Sequence, residues 1–186
     1  MLRKVEASAH IRAPHKLVYA VLTEYDAYRD WSPDVTDSQV FASEGEVSIV
    51  ELVSPPLAKG KLILEFVESP DSWLFFNQVD RLREDGLAGR WDFEPADDGD
   101  GVVVKGTLSS RGSFLRFGVR RQLRAVLERA LAALTTRCAV LAAAGLAGGV
   151  GERRKILEIT RIGEGFELTL DGERFSLGPV GGAEAR

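Results

Sequence analysis

Few side chains in this sequence have the type and spacing that chemistry needs. One cysteine, Cys138, excludes an intramolecular disulfide and a cysteine-rich zinc site. The two histidines, His10 and His15, do not share a metal-ligand spacing. Neither stands in a serine or cysteine nucleophile arrangement, so both read as surface or capping residues and no metal is expected. Glu51 is in phase with Val47, Ile49 and Val53. If that face points inward, Glu51 is a carboxylate with a raised pKa; a solvated edge is the alternative. Asn77 is in phase with Trp73, Phe75 and Val79, and an inward Asn77 offers an amide to a ligand carbonyl or hydroxyl. The opposite face, Leu74, Phe76 and Gln78, is equally apolar, so Gln78 is the alternative inward amide. Tyr25 and Tyr28 stand beside Trp31, where a hydroxyl can polarise a carbonyl. These groups do not assemble into a catalytic set.

The apolar residues are more organised. Leu62, Leu64 and Phe66 share one face of a strand pattern, as do Leu87, Gly89, Trp91 and Phe93. Leu123, Leu127 and Leu131 recur at helical spacing. Together with Trp73 and Phe75 they are candidates to line an apolar pocket with few polar anchors. The other reading is a filled core.

These residues need elements to position them. Residues 5–12 alternate as a strand, and Pro14 is placed to start a helix over 15–22, followed by a short turn of helix over 24–30. Pro33 pushes Ser32 out of the helical region and ends it. Strands are expected over 35–42, 47–53, 61–67, 73–79, 87–94 and 102–108, with short connections that imply an antiparallel meander. A long helix is expected over 113–144, with Ser113 as N-cap. One sheet of about seven strands with a long helix across it is the helix-grip arrangement. The domain reading is 1–146, a glycine-rich linker over 147–154, a β extension over 155–178 with hairpin turns at 163–165 and 171–172, and a disordered tail over 179–186. The extension has too few strands to fold alone, so it packs on the main domain or on a partner, a homodimer included.

The chain has 186 residues, 45% hydrophobic and 28% charged, the balance of a globular protein. Its net charge of −4 argues against nucleic acid as a main partner. Residues 1–6 are charged and lack a signal-peptide core, and the apolar stretch 138–150 is too short to span a bilayer. A cytoplasmic protein is expected. In a meander, alternate loops share one end, which groups 31–34, 54–60, 81–86 and 109–114 with the start of the long helix. Apolar tips there are ringed by Arg116, Arg120 and Arg124, which suits an anionic membrane surface or an acidic head group. A solvated arginine face is the alternative. Arginines at a helix N-terminus oppose the macrodipole, a mild cost that favours a functional reason.

Three stretches carry a family likeness: Val5-Glu6-Ala7-Ser8 leading to Ile11-Arg12-Ala13-Pro14 and Val18-Tyr19-Ala20-Val21-Leu22; Tyr25-Asp26-Ala27-Tyr28-Arg29-Asp30-Trp31-Ser32-Pro33; and Gly89-Arg90-Trp91-Asp92-Phe93-Glu94-Pro95. Over 1–144 the chain resembles the START-like, polyketide-cyclase/dehydrase superfamily, and within it the coenzyme Q-binding COQ10-like branch. The segment 155–177 lies outside the likeness. The resemblance implies an α+β helix-grip (Bet v 1/START-like) fold, a seven-stranded antiparallel sheet curved around a long C-terminal helix, here with a small β appendage. It implies a carrier or chaperone for a hydrophobic small molecule, lipid or isoprenoid-quinone-like, without a cofactor. The candidate ligand contacts are Tyr25, Trp31, Leu64, Phe66, Trp73, Phe75, Asn77, Trp91, Phe93, Leu123, Leu127 and Leu131. The competing expectation is a polyketide-type aromatase/cyclase or dehydratase acting on an acyl chain in the same cavity. A third is an interaction protein with a filled core.

Overall fold

The computed structural model describes residues 2–70, 72–79, 86–97, 99–111, 118–145, 156–162, 165–170 and 173–177. The chain divides into two compact units, Met1–Gly148 and Gly149–Arg186. The first opens with β1 (Leu2–Ile11), α1 (His15–Thr23), a 3-10 turn at Tyr25–Ala27 and α2 (Tyr28–Trp31). Then come β2 (Asp37–Glu44), β3 (Val47–Val53), β4 (Lys61–Ser69), β5 (Trp73–Gln78), β6 (Leu87–Pro95), β7 (Val102–Arg111) and α3 (Val119–Ala143). The seven strands form one sheet in the order β1-β7-β6-β5-β4-β3-β2. Each neighbouring pair is antiparallel. The second unit holds β8 (Ile156–Ile162), β9 (Gly165–Leu170) and β10 (Glu173–Leu177), an antiparallel sheet in the order β10-β9-β8. The expected linker and disordered tail, and residues 163–164 and 171–172 of the expected hairpin turns, lie outside the described residues.

Local chemistry sets the element ends. Pro14 has φ −56, and its carbonyl accepts from the N–H groups of Leu17 and Val18 at 2.9 and 3.2 Å. From there α1 buries Leu17, Val18, Val21 and Leu22. α2 stops at Trp31 because Ser32, ahead of Pro33, is extended with ψ 115. α3 begins later than the 113–144 pattern suggests. Gly118 stands before it with φ 105, a conformation that interrupts helix and favours a residue without Cβ. Ser113, the expected N-cap, lies outside the described residues. The helix stripe is otherwise as the periodicity predicts: Val119, Leu123, Val126, Leu127, Leu131, Leu134, Cys138 and Leu141 are buried. Among the described residues, no helix is long and apolar enough to cross a membrane.

The inner face of the sheet carries Val50 and Leu52 from β3, Leu62, Leu64 and Phe66 from β4, Trp91 and Phe93 from β6, and Val104 and Leu108 from β7. Two glycines let this layer close. A Cβ on Gly106 would meet Leu127 of α3 at 2.7 Å and the Trp91 ring at 2.6 Å. A Cβ on Gly89 would run into the Phe76 ring.

Two strand faces needed the structure to settle them. In β5, Phe76 pairs with Phe66 and Gly89, and Leu74 with Trp91, so Leu74 and Phe76 point inward. Trp73, Phe75 and Asn77 therefore lie on the outer face, against the expectation that they line the interior. The Arg90 guanidinium sits 4.9 Å from the Trp73 ring centroid on that outer side, and Asn77 is exposed. In β3, Glu51 shares the outer face with Val47, Ile49 and Val53, where its Oε1 accepts from Lys61 Nζ at 2.7 Å. It is not an inward carboxylate.

Candidate functional site

Seven of the expected ligand contacts lie on the inner sheet face or the buried stripe of α3: Leu64, Phe66, Trp91, Phe93, Leu123, Leu127 and Leu131. Tyr25 joins them, buried in the turn after α1. An aromatic row crosses from α2 to the sheet. Ring centroids are 5.2 Å apart for Trp31 and Tyr28, 5.9 Å for Tyr28 and Tyr25, 4.4 Å for Tyr25 and Phe66, and 5.3 Å for Phe66 and Phe76. Such offset and edge contacts fix ring orientation as well as burying area.

Tyr25, in the middle of this row, meets a carboxylate. β4 runs to Ser69, two residues beyond the pattern in the sequence, and strand alternation brings Glu68 onto the face of Leu64 and Phe66. Its Oε1 accepts from the Tyr25 hydroxyl at 2.6 Å and its Oε2 from the Tyr19 hydroxyl at 2.8 Å. The His15 ring stacks 6.3 Å from Tyr19 and meets Phe93 edge-on at 5.2 Å. The Tyr28 hydroxyl donates to the Leu22 carbonyl at 2.6 Å. Burial, and then the bond to Glu68, raises the Tyr25 phenol far above its ordinary range. Burial does the same to Tyr28. Both phenols stay protonated and act as hydrogen-bond donors. Sequence analysis offered Asn77, Gln78 and Glu51 as the inward polar groups; the group that meets Tyr25 is Glu68. The readable signal was its phase with Leu62, Leu64 and Phe66.

Three further polar atoms, on α2, the β3–β4 loop and α3, are buried. Trp31 Nε1, Ser54 Oγ and Arg137 Nε are buried with no hydrogen-bond partner among the described residues. Desolvation lowers the Arg137 pKa, countered by the charges of Glu24 and Asp30. The loops here are tied to the helix: Gln122 Nε2 donates to the Pro56 carbonyl, and Arg129 grips Asp34 through Nε at 2.9 Å and Nη2 at 3.0 Å. Arg120, Arg121 and Arg124 of α3 and Lys59 of the loop are exposed. Arg116 lies outside the described residues. Among the described residues, no group of His, Cys, Asp and Glu could hold a metal ion.

No curated protein matches the chain. The solved structures offer many likenesses. The Zhui aromatase/cyclase from Streptomyces sp. R1128 is 20% identical with a TM-score of 0.66, over 81% of this chain and 100% of that one. The TTHA0849 protein from Thermus thermophilus is 25% identical with a TM-score of 0.63, over 75% and 98%. A STAR-related lipid transfer protein fragment from Xanthomonas axonopodis is 19% identical with a TM-score of 0.58, over 73% and 85%. The fold they share with this chain is the START-like helix grip. A family described as polyketide cyclase / dehydrase and lipid transport matches residues 3–139, from β1 through most of α3. The sheet, its covering helix and the greater part of the sequence thus agree, and the chain belongs to the polyketide cyclase/dehydrase and lipid transport family.

Proposed function

We propose that the protein binds a hydrophobic small molecule, lipid or isoprenoid-quinone-like, between the inner sheet face and α3, and acts as its carrier or chaperone. The observation that carries this reading is how the polar groups on that face are engaged. The carboxylate of Glu68 is taken up by two tyrosine hydroxyls, Ser48 is within hydrogen-bond distance of Ser43 and Gln78 accepts from the Leu87 N–H, while most of the layer is aliphatic and aromatic. An apolar ligand taken up in such a layer gains about 25 cal/mol for each Å² of its own apolar surface removed from water. The lipid-transport side of the family and the lipid transfer protein among the structural neighbours support a lipid-like ligand; the quinone rests on the sequence resemblance of Gly89-Arg90-Trp91-Asp92-Phe93-Glu94-Pro95 to the COQ10-like branch. Delivery at an anionic membrane through the face of Arg120 and Arg124 belongs to the same proposal.

The Tyr19–Glu68–Tyr25 cluster favours a second reading, an aromatase/cyclase or dehydratase in which a phenol polarises a substrate carbonyl. The aromatase/cyclase neighbour is in line with it. Native mass spectrometry of freshly purified protein, with solvent extraction of the bound molecule, separates the two. A co-purifying lipid or isoprenoid is the expected result. An aromatic or acyl intermediate transfers the case to the enzyme. Protein that carries nothing and takes up no hydrophobic probe overturns both.

A further inference from the structure

The three strands of the second unit divide their residues between two unlike faces. In an antiparallel ladder, residues directly opposite each other share a face, and so do residues two apart along a strand. Leu168 of β9 stands opposite Ile159 of β8 and Phe175 of β10. One row away, Leu170 stands opposite Ile156 and Glu173. On the other side, Phe166 stands opposite Arg161 and Leu177. These positions make one face, apolar except at two corners. The opposite face carries Glu158, Thr160, Glu167, Thr169, Arg174 and Ser176, with Ile162 at its end beside Gly165. Leu157 is the extra residue at the bulge between Ile156 and Glu158. A sheet that is apolar on one side must bury that side against another layer.

The placement of the two charges says what that layer is. Arg161 and Glu173 stand at diagonally opposite corners, on the outer strands β8 and β10, and carry opposite sign. Ile156 and Leu177 hold the other two corners. A two-fold axis along the Ile156–Leu177 diagonal exchanges the charged corners. It lays the Arg161 position of each copy over the Glu173 position of the other and sets Leu168 on the axis. It also lays Ile159 over Leu170 and Phe166 over Phe175, so every apolar position meets an apolar one. The strands then cross at near right angles, one of the two angles at which sheets pack. A two-fold parallel or perpendicular to the strands would instead set each charge over Leu177 or Ile156, buried without a counter-charge. A two-fold through the charged corners would stack like on like. The pattern is thus its own complement about one axis, as an isologous interface requires.

We infer that this face is the interface of a homodimer, in which the β8–β10 sheets of two copies pack orthogonally and Arg161 of each chain answers Glu173 of the other. The surface is small. Strands of five to seven residues, spaced about 4.8 Å apart, make a face of roughly 14 by 20 Å. That is below a standard interface, so the dimer belongs to the weak, micromolar class. No residue of the proposed ligand site takes part.

The test is sedimentation equilibrium of the full chain from about 1 μM to about 200 μM, a range that brackets a micromolar Kd. The wild-type chain is expected to pass from monomer to dimer. Arg161→Glu and Glu173→Arg each set like charges over one another at both corners, and each should weaken the dimer about tenfold or more. The two variants mixed in equal amounts should recover wild-type association, because each then meets an opposite charge; the double variant should recover it alone. Recovery on mixing cannot come from a change within one chain. A wild-type chain that stays monomeric over the whole range gives the face to another occupant and overturns the dimer. Association that neither reversal weakens, or losses that mixing does not recover, put the contact on another surface and overturn it as well.

Discussion

Cys138 is a reactive residue type that its position makes inert. The thiol is 0% exposed in the stripe of α3, and burial pushes its pKa up to about 12 against an ordinary 9.0, with Arg137 beside it pulling slightly down. A thiol reagent at pH 8 is therefore expected to label none of the native protein and one equivalent after denaturation; labelling of the native protein would mean that α3 opens. The same shift carries a pH dependence. The folded state holds this proton more tightly than the unfolded chain does. The stabilisation is thus complete below about pH 9 and is lost as pH rises towards about 12. Tyr25 and Tyr28 move in the same direction for the same reason. Urea midpoints should fall between pH 8 and pH 10.5, and Cys138→Ala should flatten that fall; an equal slope in the variant would assign it to the tyrosines.

Between elements, the joint that matters most is Glu68. Its two oxygens hold Tyr19 of α1 and Tyr25 of the following turn, so one carboxylate pins both segments to the end of β4. Hydrogen bonds to a charged group are worth about 1.5–3 kcal/mol where partly buried. Glu68→Ala should lower the thermal midpoint more than Tyr25→Phe or Tyr19→Phe alone. The double Tyr19→Phe, Tyr25→Phe variant should be non-additive, because both act through one acceptor. Strict additivity in calorimetry would show two independent bonds. This joint was hard to read in the sequence, whereas the strands around it were plain. β4, β6 and β7 each pair an apolar face with a mixed one, so alternation alone orients Phe66, Trp91 and Val104. β5 is apolar on both faces, and only its register against Phe66 and Gly89 turns Phe76 inward and Trp73 outward. Glu68 was hidden because a carboxylate after Val67 resembles the end of a strand rather than its next inward position. The long helix was legible from its stripe, but its start depends on a backbone angle at Gly118, which no periodicity encodes.

For the molecule as a whole, the proposed carrier role raises the problem of transfer. A ligand that gains from burial cannot cross water cheaply, so release is favoured where the protein touches the phase that accepts it. The chain is acidic overall, with a net charge of −4, yet Arg120, Arg121 and Arg124 stand exposed on consecutive turns of α3, with Lys59 on the loop that Gln122 ties to that helix. Among the described residues Arg124 pairs with Glu128 only at 3.8 Å, both exposed, so this contact takes little from the positive face. Juxtamembrane cations are worth about 1 kcal/mol each at an anionic surface, so reversing two of them should weaken binding by about thirtyfold or more. Co-sedimentation with phosphatidylserine-containing vesicles is expected to show binding that falls with salt and that is lost in the Arg120→Glu, Arg124→Glu variant, while neutral vesicles bind neither protein. Uptake of fluorene, a hydrophobic probe, by the variant should be unchanged, since both arginines lie outside the buried stripe. If the variant sediments like wild type, membrane docking through α3 is wrong and the arginines are a solvated face. If sedimentation and fluorene uptake fall together, the end of α3 is part of the ligand site itself, and loading and delivery use one surface.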